Sequence, residues 1–375
     1  MNKKRKIILS VFILVIISIS AIYFLLPYIK PIKSGVVWQN NQVSERERIL
    51  LEFIDNNLKN DEWGIKTNYN DEISDGDITK GHSVLSESQG MMLLYYLDRD
   101  RKGEFDNTLV YVEKNMFLPN GVLSWRVEEG ESSETSATID DLRVIKALLL
   151  GEERWGDKKY RKVALNISRG IKKELLDEGM LSDFNDGTNK SDKTTLCYLD
   201  LPTIKLISKL DKDYNDIYKN SLEIMNGGYI SDEIPLYKKE YDRKSNLYDD
   251  GDIDTLLSSI ILLNRVEVGE DISKSIEWIK SKYKEDGGIF ISYSKDTGKA
   301  ISSIESTSIY SNLLQVASLL EDTELYNICI KKLEEYQILD VNNPIYGAYG
   351  NGNTKEVYSF DNLNALLAWR RVKNS

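Results

Sequence analysis

Carboxylates recur at one kind of position along this 375-residue chain. Glu87, Asp140 with Asp141, Asp192, Asp249 with Asp250 and Asp252, Glu305 and Asp361 each stand at or just before the start of an apolar stretch with helical spacing. Any one of them reads as a helix cap, because free N–H groups and the helix dipole favour Asp and Glu at an N-terminus. Capping does not account for the aromatics in the segments ahead of these stretches, among them Trp63, Tyr69, Trp125, Tyr229, Tyr248, Phe290 and Tyr346. Flat rings beside clustered carboxylates suit sugars, whose C–H faces stack on aromatics while their hydroxyls form hydrogen bonds. Two carboxyl groups are also the least machinery that breaks a glycosidic bond, one protonating the leaving oxygen and the other serving as base or nucleophile.

Other chemistries lack their parts. With His82 as the one histidine, neither a multi-histidine metal site nor the usual histidine-based triad is provisioned. The chain has no phosphate-cradling glycine loop and no paired-cysteine spacing, so no metal and no cofactor is expected. Cys197 and Cys329 lie in apolar, helix-like surroundings and read as ordinary buried residues. With 49 basic against 60 acidic side chains the net charge is −11, which argues against nucleic acid as a partner and suits a neutral or cationic polymer.

The elements that must position these residues are helices. Apolar periodicity predicts a first helix over 44–58, then helices near 86–99, 105–116, 138–150, 157–176, 194–209, 213–226, 252–265, 271–283, 303–320, 323–336 and 359–371. The connections alternate. Every second one is a few residues long, and the others are long and carry a turn-plus-aromatic text such as Asn120-Gly121-Val122-Leu123-Ser124-Trp125 or Gly227-Gly228-Tyr229-Ile230-Ser231-Asp232. Twelve helices in six hairpins predict an all-α (α/α)6 barrel with every long loop, and the N-terminus of every second helix, at one end. An open solenoid would show closer repeat-to-repeat similarity and short loops on both sides.

Ahead of this domain, Asn2-Lys3-Lys4-Arg5-Lys6 precedes an uncharged run from Ile7 to Leu26, which has the length of a bilayer-crossing helix and no small-x-small cleavage site. The expected organisation is an uncleaved anchor over 1–30, a linker over 31–44 and the barrel over 45–375. The basic tip places the barrel outside the cell, attached to its membrane through this single pass.

These residues resemble glycoside hydrolase family 8. Ser86-Glu87-Ser88-Gln89-Gly90-Met91-Met92 is similar to the family segment whose Glu is the general acid, and Ala137-Thr138-Ile139-Asp140-Asp141-Leu142 is similar to its Ala-Thr-Asp-Gly-Asp signature. Tyr248-Asp249 resembles the segment that carries the catalytic base. The resemblance implies inverting endo-hydrolysis of β-linked bonds in a polysaccharide, with Glu87 as acid and Asp249 as base. Asp250 and Asp242 are the alternative bases. Asp140, Asp141, Trp125, Tyr248 and Trp63 would bind substrate. It suggests an exopolysaccharide as substrate, a synthase complex as a partner and a monomeric catalytic domain. The rival readings are a polysaccharide-binding barrel without catalysis, a polysaccharide lyase, and a structural subunit of a synthase. Ser86-x-x-Gln89 also has the form of a capping box, and Asp252 that of an N-cap.

Overall fold

A computed structural model describes residues 3–38, 42–71 and 81–372. Residues 39–41 of the expected linker and 72–80 of the first long loop lie outside the described residues.

Thirteen helices are described. The first, α1, covers Lys3–Ile29, and twelve form the body: α2 (Glu45–Phe53, continued by a π-helical turn Ile54–Leu58), α3 (Ser86–Asp98), α4 (Lys102–Asn115), α5 (Thr138–Trp155), α6 (Lys158–Glu174), α7 (Leu201–Ser208), α8 (Tyr214–Gly227), α9 (Thr255–Glu267), α10 (Ser273–Asp286), α11 (Thr307–Leu320), α12 (Thr323–Tyr336) and α13 (Ser359–Trp369). Their local causes are plain in the sequence. α5 turns Leu142, Ile145, Leu148 and Leu149 into the core, each at most 1% exposed, and stops at Gly156, whose φ of 73° is the left-handed conformation that glycine adopts without strain. Each such buried aliphatic side chain contributes about 1.5–3 kcal/mol. α6 carries Tyr160, Ala164, Ile167 and Ile171 on one face and charge on the other, with Asp157 capping its start through Lys159 N.

The odd-numbered helices α3 to α13 form a closed ring, each touching the next, with α13 returning to α3. Outside them α4 backs α3, α6 backs α5, α8 backs α7, α12 backs α11 and α2 packs on α13. This is the barrel of hairpins that the spacing predicts. Just ahead of the inner helices, the chain makes short extended bridges to neighbouring loops: Val84–Leu85 with Arg126–Glu128, Ser136–Ala137 with Phe184–Asn185, Lys193–Thr195 with Glu240–Asp242, and Ile253–Asp254 with Ser292–Tyr293. Asn68 bridging Tyr358 closes this belt around the long-loop end.

Three inner helices begin later than periodicity alone predicts. Residues 193–195 are held extended by that belt, and after a single turn α7 starts at Leu201, where Asp200 accepts from Thr203 N and Pro202 occupies the first turn. α9 starts at Thr255, capped by Asp254 accepting from Leu257 N at 3.0 Å. Asp252, expected as that cap, instead accepts from Lys295 N in the adjoining loop. α11 starts at Thr307 behind the cap Ser306. In each case a capping side chain and extended pairing override the apolar period.

The expected membrane segment is helical from Lys3 to Ile29, with Pro27 inside it. Among the described residues, however, no helix is long and apolar enough to cross a membrane. The side chains at 3, 6–9, 19–21 and 23–24 of α1 lie outside the described ones.

One close approach gives a test of the wall. At Gly170 of α6 an added Cβ would lie 2.5 Å from the carbonyl carbon of Gly121 and 2.8 Å from Val122 N, in the loop that leads into the mouth. Gly170→Ala is expected to destabilise the domain by about 1–3 kcal/mol in denaturant unfolding, because backbone meets backbone and neither side yields cheaply.

Candidate active site

α3, α5 and α13 are neighbours in the ring, and they alone among the inner helices start without a side-chain cap: their N-cap residues are Leu85, Ala137 and Tyr358. Their first turns carry Glu87, Asp140 and Asp361. Ser86 donates its hydroxyl to Asp140 at 2.8 Å, and the Arg143 guanidinium donates to the other Asp140 oxygen at 3.2 Å. Ser86 therefore does not form a capping box with Gln89. Gln89 is buried and ties down the first long loop, accepting from Ile65 N and donating to Trp63 O. Gly90 leaves room for Arg143, whose Cγ and Cδ would lie 3.1 Å from a Cβ placed there.

The electrostatics follow from this crowding. Glu87 is pushed up to about 7, first because packing strips water from its carboxyl and then because Asp140 and Asp361 add negative charge, with Arg143 opposing. Asp140 is also raised by burial, against the pull of Arg143 and the Ser86 hydroxyl. Burial raises Asp361, although Ser308 donates to it at 2.6 Å. Tyr198, in the turn before α7, has its phenol raised by burial, with Asp140, Asp183 and Glu87 among the charges that act on it. At the start of α3, where the helix dipole favours an ionised carboxylate, desolvation and like charge outweigh it. A carboxyl group still protonated near neutrality is what a general acid requires.

This gives a pH test. Asp140→Asn removes a negative neighbour, so the Glu87 proton is held less tightly. The alkaline limb of the activity profile is expected to move to lower pH, and initial rates across pH 4–9 would show it (about one unit of pKa corresponds to 1.4 kcal/mol). An unmoved limb would mean that Asp140 does not act on the titrating group.

The other residues singled out in the sequence are scattered by the fold. Asp141 is fully buried on the far side of α5, where one oxygen accepts from Leu123 N at 3.0 Å and the other has no partner among the described residues, and burial raises it well above the usual carboxylate range. It is sealed from any bound polymer. Asp249 accepts from Lys239 N, Glu240 N and Gly251 N at 2.8–3.1 Å, so both its oxygens knot the loop ahead of α9. Asp250 is exposed and paired with Lys295, and Asp242 is held well below the usual range first by Lys193 and then by Ser245 N. Tyr248 donates its hydroxyl to Ile224 O and stacks near Tyr241, against the end of α8. Trp63 packs on Tyr96 beneath the Lys59 ammonium and faces the outer layer beside Tyr111. Trp125 stays at the mouth, since its carbonyl accepts from Ser86 N and its indole donates to Ser133. His82 contacts Tyr69 O and Asp71, away from the carboxylate group.

Two carboxyl groups not singled out in the sequence stand at the same end of the barrel. In a ring of six, α9 stands three places from α3 and so lies across the mouth from Glu87. Its N-terminal residue there is Asp254, which spends one oxygen on Leu257 N. Asp183 accepts from Thr195 N and from the Thr195 hydroxyl, and burial raises it. A sequence signal for Asp254 existed: Ser86, Thr138, Thr255, Thr307 and Ser359 each open an inner helix. Counting from Thr255 puts Asp254, not Asp249, at the position directly before α9.

The model of the family described as glycosyl hydrolases family 8 matches residues 60–205. A solved structure titled a novel α-amylase from Clostridium perfringens is 47% identical, with a TM-score of 0.85 over 88% of this chain and 98% of that one. YdaJ of Bacillus subtilis (strain 168) is 27% identical over 91% of this chain and 92% of its own length. PssZ from Listeria monocytogenes, at 20% identity and a TM-score of 0.66 over 87% of this chain and 95% of its own, shares the fold.

Proposed function

We propose that this chain is a glycoside hydrolase related to family 8, acting within polysaccharide chains, and that it cuts an α-linked glucan by inversion, Glu87 acting as general acid. The observation that carries the acid role is the cluster of three carboxyl groups on adjacent uncapped helices, which leaves Glu87 protonated near neutrality. The polymer lies across the mouth. Glu87 delivers its proton to the glycosidic oxygen as the C1–O bond breaks. On the opposite face of the ring Asp254 takes a proton from the water that attacks C1. The products are a new reducing end of inverted configuration, an ionised Glu87 and a protonated Asp254, which exchange protons with solvent. Inversion needs the two carboxyl groups about 6.5–9.5 Å apart, and carboxylates on opposite sides of the ring suit that gap better than adjacent ones. Asp140, itself held by Ser86 and Arg143, strengthens the acid's hold on its proton.

The α-linked substrate rests on the similarity, at 47% identity, to the structure titled an α-amylase. Reducing-end release from amylose, with the product anomer followed by NMR, tests it beside β-glucan, xylan and chitosan. Hydrolysis confined to a β-linked polymer would overturn the linkage. Binding without turnover of any polymer would revive the non-catalytic barrel, and unsaturated products would revive the lyase.

We further propose that α1 is a single-pass anchor holding the barrel outside the cell, because the uncharged run Ile7–Leu26 of the sequence has the length of a span, although the described residues alone do not make one. The 27 residues of α1 span about 40 Å at 1.5 Å per residue, more than the hydrocarbon core of roughly 30 Å. Supporting this, Val11, Phe12, Ile13, Leu14, Val15, Ile16 and Ile17 are all exposed. The full chain is expected to stay in the membrane pellet after carbonate extraction, and release into the supernatant would count against the anchor.

A further inference from the structure

The chain does not leave the barrel freely after α1. Arg161 in α6 is almost wholly buried and paired with Glu152, and its guanidinium donates to the carbonyls of Pro27 and Lys30. Ile32 sits in the core at 7% exposure. Ser34 N donates to both oxygens of Glu153, Lys209 donates to Lys33 O, and Lys30 donates back to Lys209 O. Arg154 covers the ring of Trp38 at 4.5 Å. Glu152, Glu153 and Arg154 end α5, and Lys209 follows α7. These contacts therefore gather at the short-loop end, opposite the mouth. Val36 also closes, from below, an axial cavity of about 140 Å³ whose walls include Ile139, Arg143 and Cys197.

We infer that residues 27–38 are a strap that fixes the closed end of the barrel toward the bilayer holding α1, so that the carboxylate mouth opens on the far side. The inference rests on the reading of α1 as an anchor. A flexible tether would let the mouth sample every direction. Here a buried arginine, a buried isoleucine and a doubly received N–H tie the first nine residues after α1 to the barrel floor. The 18 residues of α5 put the mouth roughly 27 Å further from the membrane than the strap. An enzyme so held takes polymer that approaches from the surroundings. It is poorly placed for a chain emerging from the bilayer at its own base.

The test uses the full chain in vesicles of phosphatidylcholine and phosphatidylglycerol doped with a nickel-chelating lipid. A nitroxide is placed at Leu247→Cys, on the mouth hairpin, or at Leu320→Cys, at the floor end of α11, positions 65% and 41% exposed. The native Cys197 and Cys329 are buried and leave the labelling selective. Relaxation by the lipid-bound nickel is expected to be several-fold stronger at position 320 than at 247. Ser34→Pro, which removes the N–H held by Glu153, and Trp38→Ala should each shrink that difference while hydrolysis of a soluble oligosaccharide is unchanged. Equal relaxation at both sites, or a difference that survives both strap variants, overturns the strap and leaves the anchor standing. A chain that does not remain with the vesicles overturns both.

Discussion

Glu87→Gln is expected to lower polymer hydrolysis by about 10² or more while leaving polymer binding in place, since general acid catalysis is typically worth that much. Glutamine keeps the shape and the packing against Asp140 but has no acidic proton to give. The sign of the pH dependence follows from the raised acid. Activity needs Glu87 protonated, so the parental rate should fall as pH rises through about 7, and in Glu87→Gln that alkaline limb should vanish. A glycosyl fluoride separates the acid role from simple damage. Fluoride leaves without protonation, so the variant should cleave it far closer to the parental rate than it cleaves polymer. Equal loss on both substrates would mean that Glu87 serves folding or binding and that another carboxyl group is the acid.

Asp254→Asn should also abolish turnover, by about 10² or more, with binding and melting temperature nearly kept. In this variant the asparagine oxygen still accepts from Leu257 N, so α9 keeps its cap, and only the proton acceptor is lost. Asp249→Asn fails differently. Its carboxylate receives three backbone N–H groups, and replacing one oxygen by an NH₂ breaks part of that knot. The expected cost is about 0.5–1.5 kcal/mol for each hydrogen bond lost, read as a lower denaturant midpoint with much of the activity retained. Azide offers a second readout, because a small anion can enter where a base carboxylate is missing and yield a glycosyl azide of inverted configuration. Rescue by azide in Asp249→Asn and not in Asp254→Asn would return the base to Asp249.

The contrast between those two aspartates shows where the sequence stopped being informative. Local periodicity determined a great deal: twelve helices, their pairing into hairpins, the single end where the long loops gather, and Glu87 in the first turn of α3. These are properties of a few adjacent turns, governed by which side chains recur every 3.6 residues, and the fold leaves them intact. The motif resemblance likewise singled out the carboxyl group proposed here as the acid. The neighbours of Glu87 were decided elsewhere. Asp140 and Asp141 differ by one residue, yet the roughly 100° between successive helical positions turns one toward the mouth and buries the other against Leu123. Asp249 and Asp254 both precede α9, and only the extended bridge of Ile253–Asp254 to Ser292–Tyr293 determines which of them begins the helix. Trp63 and Tyr248 lie in the right loops but pack outward, because a large ring goes where apolar surface is available rather than where a sugar would want it. The proton on Glu87 is held first by burial, then by Asp140, and in smaller part by Asp361, which lies 274 positions away in the chain and is adjacent only because α13 closes the ring onto α3. Charge acts through space and falls off with distance, so the order of residues along a chain cannot reveal it until the ring is closed.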